Sequence, residues 1–320
     1  MNRKTLESQR GGKTVHGAGW GVGVAALVAF AIGCGPAGEA STQEAEETLA
    51  HTSNPLQVDN GVALNRLNLN GLSLNGLSLN GLSLNGLATT DFRLWFQDDA
   101  ALHNDVMKYL IACAVPAGET RTYTDSSTNI AYTWNGGLGL APNWSTGASA
   151  TVEEQQVVSA CMAAHGNKFG VHVSISVQGR DAAGNAVVST SQELSDYNVR
   201  EGCFFGNLFD GRTGVFSGND GLALGSAQST PRVCGLPGAL NSSQCDPITY
   251  VGSCSAYCVQ DATHTSYTSC TYGGVTYRPL NTRMKPQDVF SCGDGVCQLT
   301  ERCGSGNTPT GCAADCGTCH

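Results

Sequence analysis

Strict alternation is clearest between Phe169 and Gln178, where Phe169, Val171, Val173, Ile175 and Val177 interleave with Gly170, His172, Ser174, Ser176 and Gln178. A period of two puts the apolar set on one face and the polar set on the other, which predicts a half-buried β-strand. GRDAAGN follows as a turn, and AVVSTSQ as the second arm of a hairpin. Two other segments carry the helical period. Leu102, Val106, Tyr109, Leu110 and Cys113 recur at helical spacing through DDAALHNDVMKYLIAC, and Pro116 with Gly118 stops the run. Val158, Cys161, Met162 and His165 share one face of a second helix, whose start is marked by the capping-box pair Thr151 and Glu154 and whose end is marked by Gly166. Between the helices lie two short strand-like runs, ETRTYT and NIAYTW, and a Gly-rich loop reaching Trp144. With ordered structure beginning near Thr90, this succession predicts an α+β fold: two helices on an antiparallel sheet, then a disulfide-rich, loop-rich C-terminal segment.

The first 33 residues follow a different pattern, one of export. Arg3, Lys4, Arg10 and Lys13 form a positive stretch, and GWGVGVAALVAFAIG from Gly19 to Gly33 is an apolar run of signal-peptide length. It falls short of the roughly 20 apolar residues that span a bilayer and is followed by no positive stop-transfer charge. Ala31-Ile32-Gly33-Cys34 resembles a bacterial lipobox, departing from it at Ala31, where leucine is commonest. The resemblance implies cleavage before Cys34, acylation of that cysteine, and an anchor in the membrane through its N-terminal lipid. Gly35 stands where an aspartate would retain a lipoprotein at the inner membrane, so the expected location is the outer membrane or cell surface. The other reading is ordinary small-residue cleavage that leaves Cys34 a spare thiol.

Residues 34–63 carry Glu39, Glu44, Glu46 and Glu47 among Ala, Ser and Thr, and read as a disordered tether. Residues 64–88 are a tandem pentad: LNRLN, three copies of LNGLS and LNGLA. Such a period resembles pentapeptide-repeat solenoids, but Gly follows Asn here and five pentads make little more than one coil. A leucine-bearing spacer with successive Asn-Gly turns is the plainer reading, and docking of its leucines on the following domain is a third. The α+β domain is then placed at 89–285 and a small Cys-rich knot at 286–320.

Fifteen cysteines remain to be placed. Setting Cys34 aside leaves fourteen, an even number suited to disulfides in an oxidising compartment. Cys113 and Cys161 each end a helix. Cys203, Cys234, Cys245, Cys254, Cys258 and Cys270 occupy a Gly/Ser/Thr-rich stretch, and Cys292, Cys297, Cys303, Cys312, Cys316 and Cys319 crowd the tail. The tail is too short for an apolar core and reads as a disulfide knot with fifteen conceivable connectivities. YLIACAVPAGE, GLGLAPNW, VVSACMAAHGNKFGVHVSISVQG and REGCFFGNLFDG together resemble an uncharacterised family of exported myxobacterial lipoproteins, over roughly Leu94 to Leu280. The resemblance supplies no activity, but it implies that Cys113 and Cys161 are partners.

The tail also resembles a short Cys-rich repeat of the form CGDGxC, ExC, DCGxC, whose acidic positions are Asp294, Glu301 and Asp315. Three carboxylates on glycine-rich loops could coordinate Ca²⁺, against the plainer reading of solvated surface acids. Cys316-Gly317-Thr318-Cys319-His320 is a literal haem c attachment motif, rejected because His320 ends the sequence and two cysteines would be withdrawn from an even set. Zinc is weighed and set below disulfides for an oxidising compartment.

Catalytic patterns are weak. The chain has no H-E-x-x-H, G-x-S-x-G or Walker loop. His103 sits in a polar helix start and His172 on the polar face of the best strand. His165 lies four residues from Cys161, but a disulfide-bonded sulfur is no nucleophile. Asp210 and Asp220 sit in glycine-rich loops without EF-hand spacing, and Trp134 and Trp144 are either a ligand platform or core. Cleavage before Cys34 leaves 287 residues with 13 basic and 25 acidic side chains, a net charge of −12 that argues against nucleic acid. The sequence therefore leads to a lipid-anchored cell-envelope protein with a structural, adhesive or binding role and an unidentified protein or glycan ligand. An exported hydrolase of unrecognised type is the alternative, expected to show histidines converging in a cleft.

Overall fold

The computed structural model describes residues 57–60, 62–63, 82–167, 172–211, 214–222, 224–232, 244–245 and 247–319. The segment read as a signal peptide, Cys34, the segment read as a tether up to residue 56, the pentads over 64–81, residues 168–171, Cys234, the Cys245 side chain and His320 lie outside that set. In chain order the elements are β1 (Gln57–Asn60), β2 (Val62–Ala63), α1 (Leu84–Leu87), α2 (Thr90–Asp98), α3 (Ala100–Ala114), β3 (Thr120–Thr124), β4 (Ala131–Asn135), α4 (Pro142–Ser145), α5 (Val152–His165), β5 (Gly166–Asn167), β6 (Val173–Gly179) and α6 (Ser191–Asp196). There follow β7 (Val199–Asn207), β8 (Gly214–Asn219), β9 (Gln228–Ser229), β10 (Gln244–Cys245), β11 (Ile248–Ser253), β12 (Cys258–Gln260), β13 (Tyr267–Tyr272), β14 (Val275–Tyr277), β15 (Leu280–Met284), β16 (Phe290–Ser291), β17 (Asn307–Thr308), β18 (Gly311–Cys312) and α7 (Ala313–Cys316).

The centre is a seven-stranded sheet of order β1-β6-β15-β7-β8-β11-β10, antiparallel throughout except for the parallel pair β8 and β11. The fold is α+β. On one face lie α3 and α5, burying Met107, Leu110 and Ile111 from the first and Val157, Val158 and Met162 from the second against Ile175, Val177, Phe204 and Leu280. On the other lies the three-stranded sheet β12-β13-β14, where Phe205, Phe216, Tyr267 and Tyr277 form a second core. Two large apolar faces on one sheet explain why both cores are continuous with it.

Local chemistry sets the helix ends. Asp99 separates α2 from α3 and accepts from the Leu102 N–H, while Thr89 caps α2 through Phe92 N–H. The Thr151/Glu154 capping box forms at α5. The Gly-rich loop after β4 closes the other end of α3: the N–H groups of Leu138, Leu140 and Ala141 donate to the carbonyls of Ala112, Cys113 and Ala114, and those of Gly137 and Gly139 donate to Val115. These are the carbonyls that a helix C-terminus leaves without partners. Glycine is required where the loop meets the helix end, since a Cβ on Gly137 would lie 2.7 Å from the Ala112 oxygen and one on Gly136 would lie closer still to the Pro116 oxygen.

Several expectations change. In β6 the polar positions Ser176 and Gln178 are buried as well as the apolar ones, because the Glu193 carboxylate of α6 accepts from Ser176 Oγ, which in turn accepts from Gln178 Nε2. The expected solvent face is therefore covered. The GRDAAGN turn closes with a single bridge, Arg180 to Ala186, and the residues expected as the second hairpin strand run into α6 instead. Helix α2 is an addition to the expected elements, and Phe92 and Phe96, one turn apart, are its buried positions. Within the segment read as a tether, β1 pairs along β6 and extends the sheet. Of the pentads, Leu82 and Leu87 are fully buried in the helix-side core, where Leu82 N–H donates to Trp144 and Arg121 Nε reaches the Leu82 carbonyl at 2.7 Å. The last pentads thus dock on the domain.

Among the described residues six disulfides join Cys113 to Cys161, Cys203 to Cys254, Cys258 to Cys270, Cys292 to Cys312, Cys297 to Cys316 and Cys303 to Cys319. The tail follows a first-to-fourth, second-to-fifth, third-to-sixth order. It is not a detached bead: β16 pairs with β9, Cys292 N–H donates to Ala227, and the buried hydroxyls of Ser229 and Thr300 lie 2.6 Å apart. Among the described residues no helix is long and apolar enough to cross a membrane.

Candidate functional sites

A buried polar cluster forms where the end of α5 meets β7 and β15. The register between those strands shifts between Thr282 and Arg283, which pair with Gly202 and Arg200 and leave Glu201 as the extra residue. Such a bulge re-aims a side chain. Glu201 Oε2 accepts from Thr282 Oγ1 at 2.6 Å, and Glu201 Oε1 lies 2.5 Å from Arg232 Nε, an ion pair held by charge rather than by an aligned hydrogen bond. Both residues are buried. The guanidinium also donates from Nη1 to the Ala164 carbonyl and lies over the Phe204 ring, so its positive charge meets the negative end of the α5 dipole. Burial pushes the guanidinium down from its ordinary value, and Glu201 works against that.

His165, the last residue of α5, is buried beside this pair. Its Nδ1 is 2.7 Å from the Cys161 carbonyl, so Nδ1–H is the donor and Nε2 carries the lone pair. Neither Nε2 nor Arg232 Nη2 has a hydrogen-bond partner among the described residues. Burial pulls the His165 pKa down to about 4, the Cys161 carbonyl opposes this, and the Arg232 charge adds to the fall. The imidazole is thus neutral at ordinary pH, and with Cys161 bonded to Cys113 no thiol stands beside it.

On the opposite sheet face Asp220 takes a bidentate contact from Arg200, with Nη2 at 2.7 Å and Nε at 3.1 Å, and a third bond from Tyr267 Oη at 2.6 Å. Burial first, and then the bond to Asp220, push the Tyr267 hydroxyl up to about 12. Asp220, which the sequence places in a glycine-rich loop without EF-hand spacing, is therefore engaged with a cation and a phenol.

In the terminal knot, Asp315 accepts from the backbone N–H groups of Gly293 and Gly295, while Asp294 accepts from Val296 N–H and from Gln298 Nε2. Glu301 accepts from Gln298 N–H through Oε2 and is 7% exposed. Carboxylate oxygens of Glu301 and Asp315 lie within 4.8 Å of each other and of the Cys292 and Cys312 sulfurs. Cys316 and Cys319 are both bonded, to Cys297 and Cys303, so the C-x-x-C-H segment has no thiol to offer a haem.

The other sequence-selected residues are scattered. His103 is buried and stacks on Trp95 with ring centroids 4.1 Å apart, and burial lowers its pKa. His165 faces Tyr109, and His172 is exposed just before β6. Among the described residues no contact joins the three imidazoles. Trp134 and Trp144 are core rather than platform: Trp134 Nε1 donates to Asn104 at 2.8 Å, and Trp144 meets Phe209 edge to face. Sequence reading missed Arg232 and Glu201, since a lone arginine between Pro231 and Val233 and a glutamate in a strand carry no spacing signal. Compared with known proteins, the chain matches no family model, no curated protein and no solved structure.

Proposed function

We propose that this chain is a lipid-anchored protein of the bacterial cell envelope, held by acylated Cys34, whose disulfide-clamped domain serves a structural, adhesive or binding role outside the cytoplasm. The supporting observation is that all twelve cysteines with described side chains are paired, in both cores and in the tail. Such pairing persists in oxidising compartments and is lost in reducing ones. The lipobox-like segment ahead of Cys34 accounts for how the domain reaches such a compartment and stays there, and several acyl chains at about 0.8 kcal/mol per buried methylene suffice to hold it. No basic run assists by charge, so lipid is the sole anchor in this reading.

Metabolic labelling with an alkyne fatty acid in a bacterial host tests it. The wild-type chain is expected to incorporate label and to partition with membranes, and Cys34→Ser is expected to lose both. Label absent from the wild type, or retained after the substitution, refutes the anchor.

A further inference from the structure

We propose that the terminal knot binds one Ca²⁺ ion between Glu301 and Asp315, with Asp294 and the side-chain carbonyl of Gln298 as neighbouring oxygens. Two buried oxygens in this loop have no donor. Glu301 Oε1 is buried with no hydrogen-bond partner, and so is Gln298 Oε1. The amide orientation is fixed because Gln298 Nε2 donates to Asp294 Oδ2 at 2.6 Å, which leaves Oε1 as an acceptor. Two buried acceptors without donors call for a positively charged or donating occupant, as orphaned polar groups are costly.

Charge points the same way. The carboxylates of Glu301 and Asp315 approach within 4.8 Å, and Asp294 is joined to Glu301 through Gln298, whose backbone and side chain each donate to one of them. Among the described residues no Lys, Arg or His forms an ion pair with any of the three; the pairs present are Arg121 with Glu119, Arg200 with Asp220 and Arg232 with Glu201. Like charges at this separation repel unless a proton or a cation lies between them.

The donor set selects the ion. Cys292 and Cys312 lie in the same group but are bonded to each other, so neither offers a thiolate and only oxygens remain. Oxygen-only donors suit hard cations, and irregular carboxylate loops with room for water suit Ca²⁺ better than the strict octahedron of Mg²⁺. Asp315 keeps lone pairs free for metal after accepting from Gly293 and Gly295, since each carboxylate oxygen carries two.

Calorimetric titration of the exported chain, disulfides formed and metal stripped by chelator, provides the test. One Ca²⁺ per chain is expected, with a dissociation constant in the range of extracellular modules, roughly 10⁻⁴ to 10⁻³ M. Glu301→Gln should weaken binding at least tenfold. Glu119→Gln, which removes an exposed carboxylate paired with Arg121, should leave it unchanged. Should loss of Glu301 disturb the knot, Asp294→Asn on an exposed side chain is the second variant, expected to weaken binding several-fold with all three knot disulfides intact by mass mapping. No uptake up to about 10 mM Ca²⁺, tenfold above that range, or uptake that neither variant changes, overturns the site.

Discussion

Glu154 ties α5 to the turn before it and is the sharpest place to test how the helical layer is held. Its carboxylate is fully buried. Oε1 accepts from the N–H groups of Asn143 at 2.6 Å and Trp144 at 3.2 Å, and Oε2 accepts from Thr151 at 2.9 Å to complete the capping box. Truncation to alanine leaves three backbone donors without this acceptor. The Trp144 N–H is buried and cannot turn to water, at a cost of about 1–3 kcal/mol, and the two partly buried donors forfeit a charge-assisted bond each, so the total is about 4 kcal/mol. Glu154→Gln keeps one carbonyl oxygen for Asn143 and Trp144 but points an amide N–H₂ at Thr151, and should lose about half as much. Thr151→Ala removes only the reciprocal cap, worth about 1 kcal/mol. Urea unfolding of the oxidised protein, followed by far-ultraviolet circular dichroism, measures all three. A loss below about 1 kcal/mol for Glu154→Ala, or one equal to that of Thr151→Ala, would refute the view that this carboxylate joins two elements rather than capping one.

Other consequences are as direct. Replacing Cys113 and Cys161 together by serine reopens a 48-residue separation and should lower stability by about 4 kcal/mol in the loop-entropy treatment, read as a fall in the urea midpoint. Arg232→Met strands the Glu201 charge and should lose about 3–5 kcal/mol, while the double variant with Glu201→Met should recover most of it, a non-additivity that a double-mutant cycle detects. His165 has a folded pKa of about 4, below its unfolded value of 6.5, so between those values the unfolded chain binds the extra proton. Stability should therefore be independent of this residue above pH 6.5 and fall as pH drops towards 4, by at most about 3 kcal/mol. His165→Gln should flatten that part of the pH profile, and an unchanged profile would show that the imidazole is not buried neutral.

What the sequence displayed and what it hid follow from how each element is stabilised. Helices α3 and α5 were legible because their cores repeat at helical spacing and their caps are local, down to Thr151 and Glu154. Strand β6 was legible as a strand but not as a central one, since small polar side chains such as Ser176 bury without any apolar signal once Glu193 satisfies them. Helix α2 was hidden by its shortness: in the nine residues TDFRLWFQD, Phe92, Trp95 and Phe96 keep helical spacing but make only a single repeat, and they pack as a cluster in which Phe92 and Phe96 both meet Tyr123. Strand β1 joins by backbone pairing along β6, which composition does not reveal. The acidic positions of the knot were visible in its motif, whereas the order of its disulfides depends on a three-dimensional path. The Arg232 centre was invisible for the same reason: its partners come from α5, β7 and β15, brought together by a bulge at Glu201.

The proposal that the cysteines are paired outside the cytoplasm is tested most directly by mapping disulfides by mass spectrometry on the unreduced protein recovered from the cell envelope. Cross-linked peptides joining Cys113 to Cys161, Cys203 to Cys254, Cys258 to Cys270, Cys292 to Cys312, Cys297 to Cys316 and Cys303 to Cys319 are the expected result. Free thiols at these positions, or recovery of the reduced chain from the cytoplasm, would contradict it.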